Sequence, residues 1–222
     1  MTITLIDLYN KITGQAWSMF DTDVETDDEF ESSVLTSIQK ALSKLWCDYP
    51  YPFRDRKLKF STEIGNNEYD TPNGNIVKKT IKGSNVFGIK IGKNFLDYEP
   101  DIEVLEDKTG KPTSFCVQGE KIILYPTPDD VYEVEVQYLT YNSSCDKYDE
   151  EKQTLEHSKD YINIPEKYET LFLNTLMPLT MYYAIASDSD SNSSGYYKQY
   201  LDAYKILIDF TQGIDISKRI GW

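Results

Sequence analysis

The sequence is short of the residues on which most surface chemistry depends. Its 222 residues include one histidine, His157, and three cysteines, Cys47, Cys116 and Cys145. An odd number of widely spaced cysteines, with no C-x-x-C, argues against both a disulfide framework and a zinc site. All three are expected to be reduced thiols, as in a cytosolic setting. His157 lies beside Glu156 and Lys159 in a charged stretch, whereas a triad or dyad needs an oriented base against a nucleophile. Cations are scarce too: 23 Lys and Arg against 37 Asp and Glu leave a net charge of −14. Nucleic-acid affinity comes mainly from cations that neutralise phosphates, so tight nucleic-acid binding is disfavoured. No apolar run is long enough to span a bilayer, and no membrane partner is expected. Met1-Thr2-Ile3-Thr4-Leu5 has no basic region and meets Asp7 at once, so no signal peptide is expected.

Two motifs come close to a ligand site and fall short. Gly88-Ile89-Lys90-Ile91-Gly92-Lys93-Asn94 has three residues between its glycines where a phosphate-binding loop has four. Asn94 also stands where Ser or Thr must hold magnesium, so a strand and a turn is the better reading. Asp188-Ser189-Asp190-Ser191-Asn192 opens like a calcium loop, but Ser193 replaces the sixth-position glycine and Gln199 the twelfth-position glutamate. A polar turn between helices fits better. No cofactor, no metal and no catalytic residue is expected, and the chain reads as non-enzymatic.

What is present is pattern. Thr4 with Asp7 can cap a helix striped by Leu5, Leu8, Ile12, Ala16 and Met19. Residues 21–25 form an acidic linker, and Thr26 with Glu29 is a second capping box. The helix it opens is striped by Phe30, Val34, Ile38, Ala41, Leu42 and Leu45 and is ended by Pro50 and Pro52. From Lys57 the period becomes two. Leu58 to Ile64, Ile76 to Ile81 and Val86 to Ile91 are strand candidates, and Tyr132 to Tyr138 alternates strictly, as a half-buried antiparallel strand does. Residues 117–121 read as a hairpin turn. Helical spacing returns at Pro165 with Tyr168, Leu171, Phe172, Leu176 and Leu179, with Pro178 expected to kink it. A turn at residues 187–194 leads to a stripe of Tyr196, Tyr200, Tyr204, Leu207 and Ile208, with Gly213 as C-cap. Many of the 18 tyrosines fall at such packing positions, and tyrosine also suits protein interfaces.

The expected fold class is therefore α+β: a four-helix bundle, two N-terminal and two C-terminal helices, with a β-barrel- or sandwich-like insertion. The expected divisions are 1–53 and 162–213 for the helices, 54–161 for the β-rich insertion and 214–222 for an extended tail. Charge is segregated along this plan. Residues 54–93 hold nine Lys or Arg and four Asp or Glu, a local net of +5, leaving −19 for the remainder.

Three stretches in order carry a resemblance. The first is Gln39-Lys40-Ala41-Leu42-Ser43-Lys44-Leu45-Trp46 running into Tyr49-Pro50-Tyr51-Pro52-Phe53. The second is Gly110-Lys111-Pro112-Thr113-Ser114-Phe115-Cys116-Val117, then Ile122-Ile123-Leu124-Tyr125-Pro126-Thr127-Pro128 and the alternating strand to Tyr141. The third is Ile164-Pro165-Glu166-Lys167-Tyr168, opening a helix that an Asp/Ser turn joins to the tyrosine-striped one. Together they resemble the head-to-tail adaptor, or tail-tubular, proteins of short-tailed phages, over residues 26–210. The Lys-, Asn- and Tyr-heavy composition suits an AT-rich, crAss-like phage. The resemblance implies a structural virion protein assembled in the host cytoplasm, a connector at the head-to-tail interface, with a helical bundle and a β-barrel-like or sandwich insertion. Its partners would be copies of itself in a twelvefold ring, the portal protein and further tail or ring proteins. Genomic DNA would pass through the lumen at ejection without tight binding. The charged stretch 142–161 departs from the family pattern.

Beyond Gly213, Ile214 and Ile216 alternate with Asp215 and Ser217, which fits an extended segment. Lys218, Arg219, Ile220 and Trp222 follow. Burying a side chain as large as Trp222 is worth about 2–3 kcal/mol if a groove is offered. Ile214, Ile216, Lys218, Arg219, Ile220 and Trp222 are accordingly the candidate protein-binding residues, facing the portal or a neighbour. Folding back of Trp222 onto its own helices is the other reading. The rival to the structural function is a carbohydrate- or receptor-binding module of a phage tail, which exposed aromatics clustered on a strand face would favour; the strand faces read as too charged for it.

Overall fold

A computed structural model describes residues 3–17, 28–81, 84–101, 108–185 and 193–213. The fold is mixed α+β, with four helices and several largely antiparallel sheets among the described residues. The chain divides into two compact units, one from Met1–Phe53 with Asn142–Trp222, the other from Arg54–Tyr141.

Among its described residues the second unit holds eleven strands: β1 Asp55–Ser61, β2 Glu68–Asp70, β3 Gly74–Ile76, β4 Lys78–Ile81, β5 Ser84–Phe87, β6 Ile89–Ile91, β7 Asn94–Phe95, β8 Asp97–Tyr98, β9 Ser114–Gln118, β10 Lys121–Tyr125 and β11 Glu133–Thr140. One sheet runs β1-β11-β6-β7, with β3 also paired to β11, and a second runs β2-β10-β9-β8. All these pairs are antiparallel except β8–β9. Strict alternation in β11 sets the arrangement. Val134 and Val136 are fully buried and lie opposite Phe60 and Leu58 of β1, while Glu133 and Glu135 face outward. The inward residues of both sheets, including Ile89, Ile91, Phe115, Ile122 and Leu124, make one core. Each such burial contributes about 1.5–3 kcal/mol.

Three expectations are corrected here. No sheet closes into a barrel among the described residues; the first ends at β1 and β7, the second at β2 and β8. Closure requires every edge strand to find a partner, and β7 and β8, two residues each, are too short to carry a ladder across. The candidates 76–81 and 86–91 are each broken, at Val77 and Gly88. There Val77 donates to Gln137 O (2.9 Å), Gly88 to Val77 O (2.7 Å), and Gln137 to Gly88 O (2.7 Å). Ile64, expected at the end of the first strand, lies past Ser61 in a turn with 69% of its surface exposed.

The first unit contains α1 Leu5–Trp17, α2 Asp28–Cys47, the short strands β12 Ser144–Cys145, β13 Glu151–Lys152 and β14 Tyr161–Ile162, and the helices α3 Glu166–Ile185 and α4 Ser193–Thr211. The capping box of α1 forms: Thr4 N donates to Asp7 Oδ2 (3.2 Å) and Asp7 N to Thr4 Oγ1 (3.3 Å). The box at Thr26, the acidic linker, Met19 and most of the turn at 187–194 lie outside the described residues. α3 touches each of the other helices and continues through Pro178. At its far end α4 stops as expected, with Gly213 at φ +72°, a value that favours glycine.

The aromatic–proline exit of α2 is a packing device. Tyr51 is fully buried and stacks on Phe53 with centroids 4.9 Å apart; Phe53 meets Tyr168 at 5.1 Å, and Trp46 meets Phe172 at 6.3 Å. These rings join α2 to α3, over a hundred residues later in the chain. The charged stretch 142–161 belongs with this unit and not with the β insertion. Its strands pair with each other, Thr4 bridges Tyr161, and Leu5 N donates to Asp160 O (2.8 Å). Leu155 is buried among the helical residues. Non-local pairing with the start of α1 decides its membership.

Candidate functional site

The clearest concavity of the β unit has a volume of about 700 Å³. Its apolar wall is built from three strands. Phe87 ends β5, Tyr98 ends β8 and Phe115 lies in β9, with centroids 4.9 Å (Phe87–Tyr98), 5.5 Å (Tyr98–Phe115) and 5.7 Å (Phe87–Phe115) apart. Phe115 is fully buried and backs the cluster, whereas Tyr98 keeps 44% of its surface exposed. Val117 and Ile76 extend the same wall. Preformed aromatic contact of this kind fixes ring orientation before any ligand arrives.

The opposite wall is a loop pinned at both ends. Thr71 N donates to Glu120 O (2.9 Å) in the β9–β10 turn, and Tyr141 N donates to Asn73 O (3.0 Å). Between them Gly74 lies so close to β11 that an added Cβ would meet Leu139 O at 2.2 Å and the Tyr138 ring at 2.7 Å. Only glycine permits that approach. The Tyr141 hydroxyl donates to Asn75 Oδ1 at 2.6 Å. Asp70 and Glu120 complete the rim, and among the described residues no lysine, arginine or histidine lines the concavity. The nearby cations are engaged: Lys121 sits 2.5 Å from Asp70, and the Lys78 ammonium lies 5.6 Å from the Phe87 ring centroid.

Three lysines of the basic segment 54–93 pair with carboxylates inside its own sheet. On the outer face of β11, Glu135 receives Lys57 (3.2 Å) and Lys90 (3.1 Å), and Glu133 receives Lys59 (3.1 Å). The hydrogen bonds from Lys90 and then Lys57 hold the Glu135 carboxyl below its ordinary value, with burial opposing. Arg54 is buried and donates Nε to Thr140 O (3.1 Å). Lys79 bonds Gln137. For Lys57, Lys59 and Lys90 the segregation seen along the chain thus becomes pairing across strands.

Ile214, Ile216, Lys218, Arg219, Ile220 and Trp222 lie outside the described residues. Gly88 to Asn94 forms the strand and turn expected of it, with Gly92 at φ +62° between β6 and β7. His157 is exposed in a hollow of the helical unit beside Lys147, Lys152 and Lys159. Of the two acids there, Asp146 and Asp160, the second is only 2% exposed and accepts N–H bonds from Glu156 (2.8 Å) and His157 (2.9 Å). Burial raises its pKa, and those N–H bonds, aided by Lys152, outweigh it and leave the group lowered. Asp160 is therefore a structural acceptor that ties the loop. Among the described residues no group of three or more His, Cys, Asp or Glu gathers as metal ligands would, and no helix is long and apolar enough to cross a membrane. The aromatic concavity was not read from the sequence. The only local signal is Pro72-Asn73-Gly74-Asn75, a turn between short strands.

No protein-family model matches the chain, and no curated protein matches it.

Proposed function

We propose that the chain is a structural virion protein, one subunit of the ring that adapts the portal to the tail of a short-tailed phage. The observation that carries this reading is the order of its parts. Both ends of the chain contribute to one helical unit, and a β unit is inserted between α2 and α3. That is the layout the resemblance implies, and the aromatic–proline exit on which the resemblance partly rests is welded into the helical core. In this reading the four helices form one bundle, the β unit is a sandwich, and heterologous contacts close the ring. DNA passes through a lumen that does not hold it, consistent with the net charge of −14. The segment with Ile214, Ile216, Lys218, Arg219, Ile220 and Trp222 docks on the portal or a neighbouring copy.

Co-expression with the cognate portal, followed by native mass spectrometry, tests the reading. Many copies of this chain per portal assembly are expected; free monomer or a twofold dimer alone contradicts it. Deletion of residues 214–222 should remove portal co-purification and leave the melting temperature unchanged. A large drop in melting temperature would mean that the segment packs on its own helices.

The aromatic concavity favours a second reading, a carbohydrate- or receptor-binding module of a phage tail, because it clusters partly exposed rings on strand ends. The two readings are compatible, since the concavity lies wholly within the β unit.

A further inference from the structure

We propose that the concavity between Tyr98 and the Asn73–Asn75 loop is a binding site for a neutral oligosaccharide. The inference stands on the β unit alone and is independent of the ring. A volume of about 700 Å³ falls inside the range of roughly 300–1,000 Å³ typical of small-ligand sites. Its chemistry is divided in the way a sugar ring is divided. A pyranose presents a patch of C–H bonds on each face and hydroxyls around its edge. The Tyr98 and Phe87 rings, tilted by 44° to each other, offer apolar surface for the former, backed by buried Phe115.

Around that surface stand groups suited to hydroxyls. Asn75 uses its carbonyl oxygen to accept from Tyr141, which leaves its amide N–H groups as donors and the Tyr141 oxygen as an acceptor. The Thr71 hydroxyl can donate and accept, and the Glu120 carboxylate accepts only. An apolar peptide anchor seated here would strip water from these polar groups without replacing their hydrogen bonds, each at a cost of the order that makes such burial rare. A sugar supplies a hydroxyl to each.

Charge narrows the class further. Among the described residues Asp70 and Glu120 are the charged groups of the lining, and no cation lines it. Phosphorylated ligands, uronic acids and nucleic acid would meet the Glu120 carboxylate, with Lys121 already engaged by Asp70. A neutral glycan meets none of that repulsion, and the carboxylates are good partners for its hydroxyls. The loop pinned at Thr71 and Asn73 and the close approach at Gly74 mean that the site is formed in advance, so little ordering is required on binding.

Saturation-transfer NMR and calorimetry on the full-length protein test this, using the hexasaccharides of β-1,4-glucose, α-1,4-glucose, β-1,4-mannose and β-1,4-N-acetylglucosamine as probes. At least one should bind, and Tyr98→Ala should weaken it by about tenfold or more. Asn75→Ala, on the exposed rim, should also weaken binding with no change in melting temperature, which separates loss of a contact from loss of the fold. No transfer to any of the four probes overturns the proposal, as does binding that neither substitution reduces. A change in subunit association on Tyr98→Ala, with no glycan bound by the parent protein, would also overturn it and make the concavity a protein interface.

Discussion

The two units use the same type of residue for opposite ends. In the helical unit, Trp46, Tyr51, Phe53 and Phe172 are 0–8% exposed and interlock segments far apart in sequence. In the β unit, aliphatic residues on the inward strand faces make most of the core. Phe87 and Tyr98 stand at strand ends with part of their surface open. Aromatic abundance alone therefore says little about function. What matters is whether a ring faces a helix whose stripe it completes or a gap between two short strands. The helical unit uses Trp46, Tyr51, Phe53 and Phe172 to hold distant segments together, and the β unit leaves Tyr98 partly open at a concavity.

Substitution breaks this comparison most sharply at Trp46. Trp46→Ala removes a fully buried ring in contact with Phe53 and Phe172 and should destabilise the helical unit by about 3–5 kcal/mol. Tyr98→Ala should cost less than about 1 kcal/mol of stability, in keeping with a surface site. Urea denaturation followed by circular dichroism compares the two. Equal losses would mean that the Tyr98 cluster is core, and the contrast would fail.

A smaller effect is expected at Gly74. A methyl group there collides with backbone at Leu139, which cannot swing aside as a side-chain end would. Gly74→Ala should cost about 1–3 kcal/mol, the usual range for overpacking, and should shift the amide resonances of Asn73, Asn75 and Tyr141. An unperturbed spectrum would show that the loop is not pinned.

How much of this was legible in the sequence depended on distance along the chain. The Thr4–Asp7 cap, the alternation of β11 and the glycine turns at Gly92, Gly119 and Gly213 are local, and each appears where its pattern predicts. The membership of residues 142–161 was not legible, because it depends on Tyr161 meeting Thr4. The fate of the basic segment was hidden for the same reason, since Lys57 and Lys90 meet Glu135 only through the register of β11 with β1 and β6. The concavity brings together Phe87, Tyr98 and Phe115 from three strands, and no periodicity within one strand could announce it.

The smallest effect in the series separates the units by pH. Glu135 has a folded pKa below its ordinary 4.5, so its pairs stabilise the β unit above that value. That contribution is lost as the pH falls through the lower folded value, where the carboxylate takes up a proton. Asp160 gives the helical unit a dependence of the same sign from N–H bonds to a buried acid. Glu135→Gln should flatten the acid limb of β-unit stability alone, read from the β-unit amide resonances in urea between neutral pH and pH of about 3. Flattening in both units would mean that they unfold as one.

The ring is the central claim, and cryo-electron microscopy of the virion that carries this protein tests it most directly. The account predicts many copies around a single axis between portal and tail, with each helical unit built from both ends of its chain. A particle in which the protein is absent from that junction, or present there only as isolated copies, would contradict it.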